Sequence, residues 1–157
     1  MNYIERLINK LLSVSPSTSQ GITFRIIESD TFSAFAIPGG NIYLTKGTIM
    51  ACRNVSELAS IIAHEIAHVK AGHISTNYRR FQTSNTIAEL AGITLAIATG
   101  NPFVAGAGDV TANMGSSAFI GAYSRESERE ADELAFRIMQ NAGYAPPFAW
   151  RTDHRSS

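Results

Sequence analysis

The spacing of apolar residues changes period several times along the chain, and each change predicts an element. Ile4, Leu7, Ile8, Leu11 and Leu12 recur at helical spacing and predict an N-terminal amphipathic helix. Residues 13–21 are rich in Ser, Thr and Pro and read as a loop. Residues 23–29 read as a strand, with Phe24, Ile26 and Ile27 set among polar neighbours. Residues 33–37 and 41–45 are two further short strands, joined by the turn Pro38-Gly39-Gly40-Asn41. Helical spacing then returns. Asn54 is placed to cap a helix carrying Leu58, Ile61, Ile62 and Ile66, with Glu57 as its capping-box partner and Gly72 at the C-terminal stop. A second helix is predicted from about Ile74 toward Ala98, broken at Gly100-Asn101-Pro102, and a last one from Tyr123 to Asn141. The expectation is an α+β chain, with a small antiparallel sheet and hairpin packed on a helical subdomain, residues 1–157 forming one domain.

Composition narrows the functional classes. The chain has 157 residues, 45% hydrophobic and 17% charged, enough to bury a core without covalent staples. Thirteen basic and thirteen acidic residues cancel, which argues against a nucleic-acid binder needing a basic face. The single cysteine, Cys52, excludes an internal disulfide and a cysteine-based zinc cluster. Residues 1–6 lack the basic segment and apolar run of a signal peptide, and no stretch reaches the roughly 20 apolar residues of a membrane span. An exported form would then be a processed chain or a piece of a longer one. Residues 87–122 carry only Glu89 and Asp109 as charges. They read either as closely packed core helices or as a mobile lid or surface that touches lipid or another chain.

The chemistry-bearing segment is His64-Glu65-Ile66-Ala67-His68, inside a helical pattern. Two histidines four apart leave a helix on one face, so both imidazoles can meet one metal ion. Glu65 follows the first of them too closely to be a natural third ligand. It can reach a water at the metal's open position, where a general base belongs. Flanking Ile61, Ile62, Ala63, Ile66 and Ala67 bury this helix, and buried polar side chains need a reason.

A catalytic zinc usually takes three protein ligands and one open position. The residue six after His68 is Ile74, so a third histidine does not follow in the helix. His73, five on and past Gly72, reads as a surface histidine. In the last helix, Glu128 shares an apolar face with Ala131, Ala135 and Met139, with Asp132 nearby. Glu126, Glu130, Glu133 and Arg137 fall on the opposite, solvated side. Helical phase therefore selects Glu128 as third ligand. Asp132, one turn on, is placed to accept from the other N–H of a ligating histidine.

These residues resemble the HtpX, CAAX-prenyl-protease and Oma-type family of gluzincin zinc metallopeptidases, and most of all its soluble bacterial envelope branch. Three blocks carry the likeness: Ser33-Ala34-Phe35-Ala36-Ile37-Pro38-Gly39-Gly40-Asn41 with Ile42-Tyr43-Leu44-Thr45-Lys46-Gly47, then His64–His68 with Gly72-His73, then Tyr123-Ser124-Arg125 through Glu128 and Asp132. The family's Glu-x-x-x-Asp pattern falls on Glu128 and Asp132. Ser33 stands where the family commonly has Asn, and His154 lacks the proline of the family's later His-Pro element.

The resemblance implies one zinc per chain between the two motif helices. It implies an endopeptidase acting on extended or misfolded polypeptide, in the bacterial cell envelope, periplasmic or membrane-associated. It also gives strand 33–37 a use. Its edge, at Ser33, Ala34, Phe35 and Ala36, would pair with an extended substrate, unless it is simply a core strand. Tyr123 and His154 are the candidates for oxyanion donor. A rival expectation is a zinc-dependent peptide-binding or chaperone-like module with little turnover. A third is a helical interaction domain with a chance motif, which predicts no tight metal binding.

Overall fold

The structure is a computed structural model that describes residues 3–17, 21–84 and 123–147. The expectations made for residues 87–122 and for His154 lie outside the described residues. In chain order the described elements are α1 (Tyr3–Ser13), β1 (Thr23–Ile27), β2 (Ala34–Ile37), β3 (Asn41–Thr45), α2 (Lys46–Ala51), α3 (Val55–Lys70), α4 (His73–Ser84) and α5 (Arg125–Asn141).

The β2–β3 hairpin forms as expected. It is antiparallel, with Phe35 opposite Tyr43 and Ala36 opposite Ile42. Gly39 and Gly40 both sit at positive φ, where a side chain would be strained. The third strand differs from expectation. The strand order is β1-β3-β2, and β1 runs parallel to β3, so the sheet is mixed rather than antiparallel. The reason lies in the link from β1 to β2. Residues 28–33 reverse the chain across the end of β3, which sets β1 on the far edge of β3 instead of beside β2. Polar contacts to the β3–α2 corner hold this arch. Ser33 N–H donates to Thr48 Oγ1 (2.7 Å), Thr48 Oγ1 donates to Ser33 O (2.8 Å), and Thr45 Oγ1 donates to Thr31 O (2.6 Å). Thr45 also caps α2, a short helix the apolar pattern did not predict.

The two faces of the sheet pack differently. Ala36, Ile42 and Leu44 join the main core with Leu7, Leu11, Ile62, Ile66, Ile138 and Met139. Each large aliphatic side chain buried there contributes roughly 1.5–3 kcal/mol. Phe35, Ile37 and Tyr43 form a separate cluster on the other face, with the Phe35 and Tyr43 rings stacked at 5.2 Å.

α3 and α5 lie along each other. Ala59, Ala63 and Ala67 on α3, and Ala131 and Ala135 on α5, have no exposed surface. Such small side chains permit close helix approach. Asn54 caps α3 by accepting from Glu57 N–H (3.0 Å), as expected. The Glu57 carboxylate reaches back to Arg53 N–H (2.7 Å), one residue before the cap position a capping box would use. α5 starts two residues later than expected, with Ser124 as its cap. Among the described residues no helix is long and apolar enough to cross a membrane.

Candidate metal centre

α3 presents His64 and His68 on the face that meets α5, and α5 answers with Glu128 and Asp132. His64 Nε2 and His68 Nε2 are 2.9 Å apart. Glu128 Oε2 is 3.4 Å from His64 Nε2, and Oε1 is 3.7 Å from His68 Nε2. Ligand atoms about 2.1 Å from a tetrahedral centre lie about 3.4 Å from one another, so these separations suit one small cation. The chemistry of the donors agrees. His64 Nδ1 is 3.0 Å from Asp132 Oδ1. A carboxylate only accepts, so Nδ1 carries the proton and His64 Nε2 turns a lone pair toward Glu128 and His68. Lone pairs gathered in this way repel unless a cation lies between them.

Glu128 is less enclosed than its place on the apolar face suggested: its side chain is 44% exposed. It occupies the first turn of α5. His68, by contrast, is 1% exposed. Burial, with His64 and His73 nearby, lowers its pKa to about 3 and keeps the ring neutral, the form that ligates metals. Burial and the charge of Glu128 push the Glu65 carboxyl up to about 8. A divalent cation among these groups would draw it back down.

Tyr123 precedes the α5 cap and stacks on His68, with ring centroids 4.0 Å apart and planes 16° from parallel. Burial and the neighbouring Glu65 and Glu128 raise its phenol above the usual tyrosine range, so it keeps its proton as a donor. The residues predicted to bind substrate divide. The Ser33 backbone is engaged with Thr48, while the side chains of Phe35 and Ala36 are buried. With Ala34 they belong to β2, which is an edge strand among the described residues and packs against α3.

One residue departs from the sequence reading, and a second reaches further than it implied. His73 is not a surface histidine. It is 8% exposed, with Nδ1 3.1 Å from His68 Nδ1 and Nε2 3.2 Å from Glu130 Oε2. Glu130 lies on the solvated side of α5 as expected, its side chain 63% exposed, and its carboxylate reaches that ring.

A family profile described as peptidase family M48 matches residues 1–150. The chain belongs to peptidase family M48. It is similar to the beta-barrel assembly-enhancing protease of Yersinia pestis, 31% identical over 147 residues, 92% of this chain and 30% of that protein. The same protease of Escherichia coli (strain K12) is 31% identical over 148 residues, again 92% and 30%. The mitochondrial metalloendopeptidase OMA1 of Schizosaccharomyces pombe is 25% identical over 144 residues, 92% and 40%. The chain spans about a third of the length of these relatives. M48 peptidases depend on a metal, and His64, His68 and Glu128 form a donor set able to hold one. One signal in this M48 sequence could have exposed His73. Gly72, at φ +75°, lets the chain turn sharply after α3, so the next residue starts a new helix beside His68 instead of continuing outward.

Proposed function

We propose that this chain is a zinc endopeptidase that cuts extended or misfolded polypeptide, with His64, His68 and Glu128 as the zinc ligands. The convergence of these three donors across α3 and α5, in an M48 chain, carries the reading. Zinc held there would supply a Lewis acid that acidifies water and polarises the scissile carbonyl. Glu65, next to a ligand and beside Glu128, takes the proton from the attacking water and passes it to the leaving amine. Asp132 holds His64 in the tautomer that faces the cation. Tyr123 keeps the His68 ring in place by stacking and has a phenolic proton to offer a developing oxyanion. The edge of β2, beside α3, is the proposed rail for an extended substrate.

A location in the bacterial cell envelope, with action on polypeptides there, is part of this reading, and the relatives' printed name, which refers to assembly of β-barrels, supports it. The test is zinc content together with cleavage of an unfolded, labelled protein by the zinc-loaded chain. We expect about one zinc per chain, lost in His64→Ala, and turnover lost in Glu65→Gln with zinc retained. Cleavage by zinc-loaded Glu65→Gln at the wild-type rate would remove Glu65 from the mechanism. Tight binding of the unfolded protein without turnover would favour a peptide-binding module instead.

A further inference from the structure

We propose that His73 and Glu130 act as positioning residues that hold His68 in the tautomer a metal requires, by a hydrogen-bond chain running from α5 through α4 to α3. The inference rests on the reading of His64, His68 and Glu128 as metal ligands.

A neutral imidazole has one N–H, and contact between two ring nitrogens needs one proton between them. Glu130 Oε2 lies 3.2 Å from His73 Nε2, and a carboxylate accepts, so the His73 proton sits on Nε2. His73 Nδ1 is then a lone pair. Across from it, at 3.1 Å, is His68 Nδ1, which must donate. His68 Nε2 is left as a lone pair, directed toward His64 Nε2 at 2.9 Å. The opposite tautomer would put a proton where the metal belongs.

The arrangement parallels the one around His64 but is longer. Asp132 sets His64 directly, from the same helix that supplies Glu128. His68 lies deeper, and a second imidazole spans the gap to a carboxylate at the surface. Burial gives the link its strength. His68 and His73 are 1% and 8% exposed, so water cannot readily replace a lost partner. Glu130, with its side chain 63% exposed, anchors the outer end without itself needing burial.

The test is zinc affinity, by competition with a chromogenic chelator, on the full chain and four variants. His73→Leu and Glu130→Ala should weaken zinc binding about 10- to 100-fold, the usual effect of removing a partner of a ligating histidine. His73→Asn places an amide oxygen near the lost Nδ1, and Glu130→Gln keeps an oxygen to accept from His73. Both should retain affinity within about threefold of the parent, a rescue that mere packing would not produce. Nitrogen-15 NMR of the zinc-loaded chain should show a slowly exchanging proton on His68 Nδ1 that is lost in His73→Leu. Glu130→Ala changes an exposed residue, so it reads the chain of bonds even if His73→Leu misfolds. Wild-type affinity in Glu130→Ala, or no rescue by His73→Asn, would overturn the proposal and leave the ligand assignment standing. A parent chain that binds no zinc, or binds it unchanged in His64→Ala, would overturn both.

Discussion

Glu65 and His68 stand three residues apart on α3, and burial moves their pKa values in opposite directions. Glu65 rises from 4.5 to about 8, and His68 falls from 6.5 to about 3. The consequences for stability differ in sign. Between pH 4.5 and 8 the folded chain holds a Glu65 proton that the unfolded chain has released, so stability falls as pH rises. Between pH 3 and 6.5 the unfolded chain holds a His68 proton that the folded chain lacks, so stability rises with pH. The two slopes oppose each other from 4.5 to 6.5. The chelator-treated protein should therefore have its highest melting temperature in that interval, as read by circular dichroism across a pH series. Glu65→Gln should remove the decline between pH 6.5 and 8. A melting temperature that climbs steadily to pH 8 in both proteins would contradict this account.

The β3–α2 corner and the α3–α5 contact are where local changes should disturb whole elements. A Cβ on Gly47 would collide with the backbone carbonyls of Asp30 and Thr31, atoms of the arch that sends β1 to the far side of β3. No flexible side chain is there to yield. Gly47→Ala should cost about 1–3 kcal/mol, measured as a lower urea midpoint at unchanged slope. Ala135 lies fully buried on α5. Ala135→Leu adds three carbons to a closed contact, with a similar expected loss. It should also weaken zinc binding, because Glu128 and Asp132 ride on the helix it would displace. Glu126→Ala, on the exposed side of α5, serves as the control and should change stability by no more than about 0.5 kcal/mol.

Across the whole molecule, the cluster joins two helices that lie far apart in sequence. His64 and His68 belong to the middle of the chain and Glu128 to its last described helix. A cation bound by all three ties α3 to α5 only in the folded state. At a free concentration 100 times its dissociation constant, it should add about 2.7 kcal/mol of stability. Differential scanning calorimetry should show the transition rising with added zinc, and His64→Ala should abolish the rise. A transition indifferent to zinc in the parent chain would mean that the helices hold their distance without it.

The features legible in the sequence are those governed by near neighbours along the chain. Two histidines four apart share a helix face wherever that helix lies, so His64 and His68 were readable, with Glu65 beside them. Helical phase on α5 separated Glu128 and Asp132 from Glu126 and Arg137 in the same way. Two adjacent glycines announced the β2–β3 hairpin. Beyond that reach the pattern lost its grip. The pattern marks 23–29 as a strand, of which Thr23–Ile27 forms one, but carries no record of its partner, and the partner depended on an arch pinned by Thr45, Thr48 and the bare backbone of Gly47. α2 is too short to show a period. His73 read as a surface residue because Gly72 announces a turn but does not say that the turn lays His73 against His68. Glu130 is solvated, as its phase indicated, but phase does not say how far a flexible carboxylate reaches. Periodicity and spacing singled out the proposed ligands. Packing between separate elements decided which groups lie beside them, because those contacts join residues whose nearness arises only when the core closes.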